Sequence, residues 1–227
     1  MVFPRIWKLL SLKNSVAQFE ARVRRQTMAR RCGFCAHGKH RTPKHMPDEL
    51  ASGRRIRSLA RVLARLLWCA VGATVGLGLV FWLVDPPSGP LLLASFGGTA
   101  VFLFGLTRAP AAQPRALFGG HLGGALIGVL CFQTFGDATW VYLLAVALSL
   151  VFMLVTKTVH PPAGANPLIM VHAHAGLSAV LQPVGLGVVI LALVAVAWSR
   201  VLPGTVRYPF SWLEKSPPSL FWGGWVE

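Results

Sequence analysis

Polar positions are sparse along most of this chain, and where they fall they divide it into six apolar runs: 62–84, 90–106, 116–135, 139–155, 167–181 and 184–202. A hydrocarbon layer about 30 Å thick takes roughly 20 apolar residues as helix. Runs one, three, four and six approach that length, whereas the second, "PLLLASFGGTAVFLFGL", and the fifth, "PLIMVHAHAGLSAVL", are short. The pattern predicts an all-α, polytopic membrane helix bundle of about six membrane elements, four to five of them long spans and the rest short broken helices.

Proline and glycine mark the breaks. "DPPSGPLL" begins at Asp85 and "HPPAGANPLI" at His160. Each follows a long run and precedes a short one. A second echo pairs "AQPRALFG" at Ala112 with "LQPVGLG" at Leu181. The order is therefore long run, Pro-Pro break, short run, Gln-Pro, long run, twice over. With an odd number of crossings between the two breaks, halves 62–135 and 138–202 would be an inverted 3+3 repeat. In transporters built this way, corresponding Pro/Gly-interrupted segments mark the binding site, and the two halves rock about it.

Charge sharpens the picture. Residues 1–67 hold 16 Lys/Arg and 3 Asp/Glu, whereas residues 68–227 hold 6 and 4. Overall 54% of the chain is hydrophobic and 13% charged, against about 25% charged in a soluble domain. Residues 1–61 thus read as a basic, disordered or interfacial cytoplasmic arm, 62–202 as the membrane domain, and 203–227 as an interfacial tail carrying Tyr208, Trp212, Trp222 and Trp225. Arginines crowding the first run obey the positive-inside rule. With six crossings, Arg108, Arg115, Lys157, Arg200, Arg207 and Lys215 all fall on that same side, with both termini cytoplasmic in an inner (plasma) membrane. No nucleic-acid motif accompanies the basic arm, so no nucleic-acid partner is expected. "CGFCAHGKH" offers Cys32, Cys35, His37 and His40, without the paired spacing of a structural zinc site. No metal or cofactor is expected in the membrane domain.

The second break concentrates polar chemistry. Pro161 and Pro162 donate no N–H, and Gly164 permits a tight path. Asn166 suits an N-cap and Pro167 the first helical turn. A helix starting there would present N–H groups and a positive dipole end to an anion, with Lys157 and His160 adding donors. Lys157 equally suits snorkelling, and His160 a helix cap. The matching break supplies Asp85 and Ser88. Ser95 and Thr99 lie one turn apart on the second run. His121 sits among Gly119, Gly120, Gly123 and Gly124, whose GxxxG spacing permits close helix packing or a homo-oligomer. Arg115 is a cytoplasmic anchor or a substrate partner. His172 and His174 point to different helix faces, which argues against a joint metal site.

Taken together, "TVHPPAGA", "SFGGTAVFLFG" and "AQPRALFGGHLGGALIGVL" resemble the HPP family of integral membrane proteins, named for its His-Pro-Pro motif. The resemblance runs from about Leu67 to Pro209. It implies a small multispanning protein of transporter type, usually credited with four spans, with plastid and cyanobacterial relatives associated with nitrite transport. "GANPL" stands where the family pattern suggests "GAT" and small residues. The expectation is a non-enzymatic transporter or channel for a small inorganic anion, embedded in a lipid bilayer. Its binding site would draw on Lys157, His160, Pro161, Pro162, Gly164, Asn166, Asp85, Ser88, Ser95, Thr99, His121 and Arg115. A non-transporting accessory or assembly protein is the alternative.

Overall fold

The computed structural model describes residues 48–84 and 93–218, with side chains described from residue 59 onward. Residues from Arg55 onward form one compact unit. Helix α1 (Asp48–Val84) leads in. Helix α2 (Ser95–Ala100) runs on as a π-helical stretch, Val101–Gly105. Helices α3 (Pro114–Phe135) and α4 (Thr139–Thr156) follow. A 3₁₀ turn, Pro161–Ala165, feeds the seven-residue α5 (Asn166–His172). A π-helical turn, Val180–Gly185, opens into α6 (Leu186–Val201). Among the described residues, four stretches are long and apolar enough to cross a membrane: Leu59–Val84, Pro114–Phe135, Thr139–Thr156 and Val180–Val201. The protein is an all-α membrane bundle.

Three sequence boundaries need correction. The fifth run does not form a helix to residue 181. Helix α5 stops at His172, His174 takes a left-handed conformation (φ 49°), and Leu181 belongs to the last span. Gln182-Pro183 does not start that span either, because the π-helical turn carries Pro183 inside it. Helix α2 begins at Ser95, five residues later than the apolar run.

The short fifth segment nevertheless connects the two ends of the bundle. It leaves α4 at Lys157, and His174 bonds the Asp137 carboxylate just before α4 begins, at 2.8 Å. The segment thus runs back along all 18 residues of α4, about 27 Å at 1.5 Å per residue. Hydrogen bonds from His174 and Tyr142 hold the exposed Asp137 carboxyl below its ordinary range. A depressed carboxylate contributes stability above its unfolded pKa and loses it as pH falls through the lowered one. Amide exchange in residues 173–178 should therefore stay slow until pH drops below the usual carboxylate range. Asn at position 137 should speed it already at neutral pH.

The opposite end gathers the cations. Gln113 ties the loop at Thr107 and Ala109 to Phe210 and Ser211. Arg115 donates to Thr156 O, Arg200 to Tyr208 O, and Arg108 lies over the Phe210 ring. Ser216 pairs with the backbone of Lys157 and Val159. Residues 203–218 thus form a strap across this end. Tyr208 is 1% exposed, whereas Phe210 and Trp212 are exposed.

Between the ends, α3 presents its glycines to neighbours within the chain. A Cβ on Gly120 would stand 2.9 Å from His160 Cβ, and one on Gly128 would stand 2.7 Å from Pro167 Cα. Gly123 receives the Phe152 ring and Gly119 the Thr158 side chain. Within lipid, helices associate through such close approach rather than through hydrophobic exclusion. The GxxxG faces are occupied inside the protein, so a homo-oligomer would need another surface.

Candidate functional site

The chain break after α4 is built so that its backbone groups are satisfied, as a bilayer interior requires. Lys157 adopts φ 55°, and Thr158 N–H reaches back to Met153 O while Lys157 N–H reaches Leu154 O. This is a Schellman termination with lysine in the usual glycine place. Residues 157–159 then extend alongside Ser216. Val159 N–H donates to Ser216 O, Ser216 N–H to Lys157 O, and Ser216 Oγ to Val159 O. His160 O accepts from Ala163 N–H, opening the 3₁₀ turn.

That path carries the His160 side chain inward to meet α2 and α3. Thr99 Oγ1 lies 2.8 Å from His121 Nε2 and 2.9 Å from His160 Nε2. It also lies 3.1 Å from Ser95 O, one turn back on α2. His160 Nδ1–H donates to Ala111 O at 2.6 Å. On the other side, Asn166 Nδ2 is 3.0 Å from both His121 Nδ1 and His121 O. Thr99, His121, His160 and Asn166 are each fully buried. The imidazole centroids stand 5.0 Å apart, with the Phe96 and Phe102 rings against them. Four polar side chains from four segments thus close into one buried cluster. The short helices converge on it, for Gly98 of α2 lies against Pro162.

Four of the sequence candidates, Thr99, His121, His160 and Asn166, meet in this cluster, and Ser95 joins through its carbonyl. The others do not. Asn166 is no N-cap: it has helical dihedrals, its N–H donates to Ala163 O, and its side chain serves His121. The start of α5 therefore offers no row of free N–H groups, since Pro167 has none and the 3₁₀ turn runs straight into the helix. Pro161 is exposed, and a Cβ on Gly164 would meet nothing within 4 Å. Lys157 contributes its backbone to the turn. Arg115 sits apart, its guanidinium on Thr156 O and its Nε buried without a protein partner. Asp85, Ser88 and the Cys32, Cys35, His37, His40 group lie outside the described residues. A separate cavity of about 290 Å³ opens between α1 and α6, lined by Arg65, Trp198 and Ser199 among others, and no member of the cluster borders it.

Sequence reasoning missed Gln113, Ser149 and Ser216. Gln113 is fully buried with both ends of its amide engaged. Ser149 Oγ is buried on α4 without a partner. The repeated Gln-Pro pair was a signal for the first, but nothing local marks the other two.

Comparison with known proteins agrees with the motif blocks. Residues 59–209, well over half of the chain, match the family described as HPP, transmembrane region. Two transmembrane proteins of Dictyostelium discoideum are similar. One is 35% identical over 129 residues, 53% of this chain and 41% of its own length. The other is 33% identical over 130 residues, 54% of this chain and 45% of its own length. The matched region spans less than half of these curated relatives. No solved structure matches. With its His-Pro-Pro break at the centre of a buried polar cluster and its membrane domain matched end to end, this chain belongs to the HPP family of integral membrane proteins.

Proposed function

We propose that this protein is a membrane transporter or channel for a small inorganic anion, with the Thr99–His121–His160–Asn166 cluster at its binding site. The carrying observation is the cluster itself: two imidazoles, a hydroxyl and an amide, all fully buried in an apolar bundle. Ionisable groups at such depth are costly and mark transport pathways. Two further features favour an anion. Arg115 Nε is a buried cationic donor without a protein partner, at the end of α4 where its guanidinium holds Thr156 O. The cations of residues 107–115, 156–160 and 200–216 gather at one end, which supports a cytoplasmic side for that end by the positive-inside rule. Through the family resemblance, nitrite is the first candidate substrate.

The test is uptake into proteoliposomes with nitrite, nitrate and chloride offered separately. His160→Gln should cut uptake by about tenfold or more, the equivalent of one buried hydrogen bond made in the transport cycle. Lys157→Gln should leave it close to the parent, because that side chain lies outside the cluster. Absence of flux for every anion, with no anion-induced thermal shift of the purified protein, would favour an accessory role.

A further inference from the structure

We propose that the cluster is a one-proton carrier in which His160 takes the proton and His121 is locked neutral, so that the transported anion crosses together with a proton. The coupling rests on the transport reading above, but the proton site stands on the geometry alone.

The hydrogen bonds fix their own direction from both ends. A carbonyl oxygen only accepts. At one end Ala111 O faces His160 Nδ1, so Nδ1 carries hydrogen. In a neutral imidazole the other nitrogen is then bare, and His160 Nε2 must accept the Thr99 O–H. The Thr99 oxygen is thereby free to accept from His121 Nε2–H. His121 Nδ1 is then bare and accepts from the Asn166 amide. At the far end that amide also faces His121 O, a second pure acceptor, so the group in contact is the NH₂. The chain reads Asn166 N–H to His121, His121 N–H to Thr99, Thr99 O–H to His160, His160 N–H to Ala111 O. No reversed arrangement is compatible with a carbonyl at each end.

One proton fits into this chain, at one place. A proton arriving from hydronium or from the acid form of the substrate forms an N–H bond at His160 Nε2. The Thr99 hydroxyl then accepts from both imidazoles and turns its own hydrogen to Ser95 O, already 3.1 Å away. Release reverses both changes. His121 has no such outlet. Its Nδ1 faces an NH₂ that cannot turn over without setting the amide oxygen against His121 O. A second charge would also sit 5.0 Å from the first, centroid to centroid.

The charged groups nearby do not neutralise the proton. Arg115 and Lys157 are cationic. Glu214 and Lys215 flank Ser216 on the strap, which touches the His160 segment through backbone. Among the described residues no carboxylate hydrogen-bonds either imidazole. An imidazolium in this buried site needs an anion, and the neutral cluster has no spare donor with which to hold one. Proton and anion therefore favour each other's binding, which gives net electroneutral transfer of a monovalent weak-acid anion.

The experiment uses the full chain in nanodiscs with ¹⁵N-labelled histidine, read by long-range ¹H–¹⁵N correlation. At neutral pH, His121 should show the Nε2–H tautomer and His160 the Nδ1–H tautomer. Of the two cluster rings, acidification should ionise one, with its imidazolium signal absent in His160→Gln and His121 remaining neutral. Nitrite should raise the midpoint by about one pH unit, a tenfold gain in proton affinity. Thr99→Ser should keep both the tautomers and the midpoint, whereas Thr99→Val should keep the end-fixed tautomers but shift the His160 midpoint, because its protonated Nε2 then has no acceptor. Like tautomers in both rings, ionisation of His121 first, or a midpoint unmoved by any transported anion would overturn the proposal. In proteoliposomes a pH gradient should drive one proton per anion. Anion flux indifferent to the gradient would sink the coupling and leave the transport reading intact. The expected titration without flux of any anion would sink the transport reading and leave the proton site.

Discussion

Gly128→Val is expected to remove most of the folded protein from detergent extracts, measured as loss of the monodisperse chromatographic peak and of the thermal transition. A Cβ at this position would stand 2.7 Å from Pro167 Cα, 2.8 Å from Pro167 O and 2.8 Å from Met170 Cβ. Two of those three atoms are backbone, in a turn fixed by proline and by the hydrogen bonds of the cluster. They cannot swing aside as a flexible side chain can. Overpacking a tight core costs about 1–3 kcal/mol, and more where the neighbour is rigid. A branched side chain adds two methyl groups to a contact already too close for one carbon. Gly105→Ala is the matched control: a Cβ there meets nothing within 4 Å, so the peak and the transition should persist. Survival of Gly128→Val with an unchanged transition would show that α3 and the Pro-Pro segment are not held at this separation.

The second large effect falls at Gln113. Its Nε2 donates to Thr107 O and Ala109 O, and its Oε1 accepts from Phe210 N–H and Ser211 N–H. Leucine fills a similar volume but leaves four backbone groups unpaired. At about 1 kcal/mol each, the loss is roughly 3–4 kcal/mol. Glutamate separates the two halves of the interaction, because it keeps the acceptor for residues 210 and 211 and loses the donors for 107 and 109. Thermal unfolding should therefore rank parent, Gln113→Glu, Gln113→Leu in falling order, and limited proteolysis of the 203–218 strap should accelerate chiefly in the leucine variant. Equal stability of all three would show that the strap is held elsewhere.

Much of the fold is legible because the bilayer constrains it simply. Span lengths, the Pro-Pro break after α4 and the sorting of Lys and Arg to one end all follow from local composition. So do four members of the cluster, since polar groups stand out in an apolar chain. Their roles were less accessible. Asn166 followed by proline has the local signature of an N-cap, yet its side chain finds a better partner 45 residues earlier on α3. The last span was cut short because Gln182-Pro183 looks like a boundary, whereas proline within the first turn of a helix removes no needed donor. Gln113 and Ser216 hold loops that lie far apart in sequence, and no pattern within either loop announces the other. The same limit applied to Tyr208, whose place at an interface was inferred from residue type alone but which the strap buries.

The glycine face of α3 also bears on how the molecule can move. The expected repeat divides the chain between α3 and α4, yet α3 belongs by packing to the other side of that line. Gly120 and Gly128 lie against residues 160 and 167, and Gly123 against Phe152 of α4. The tightly packed block is therefore α3, α4 and α5, and it straddles the repeat boundary. Helix α2 meets the Pro161–Ala165 turn where Gly98 lies against Pro162. Thr99 stands next to that contact and His160 on its far side, so opening it would break the bond between hydroxyl and imidazole. On the transport reading proposed above, one hydrogen bond would then both hold the two sides together and receive the proton.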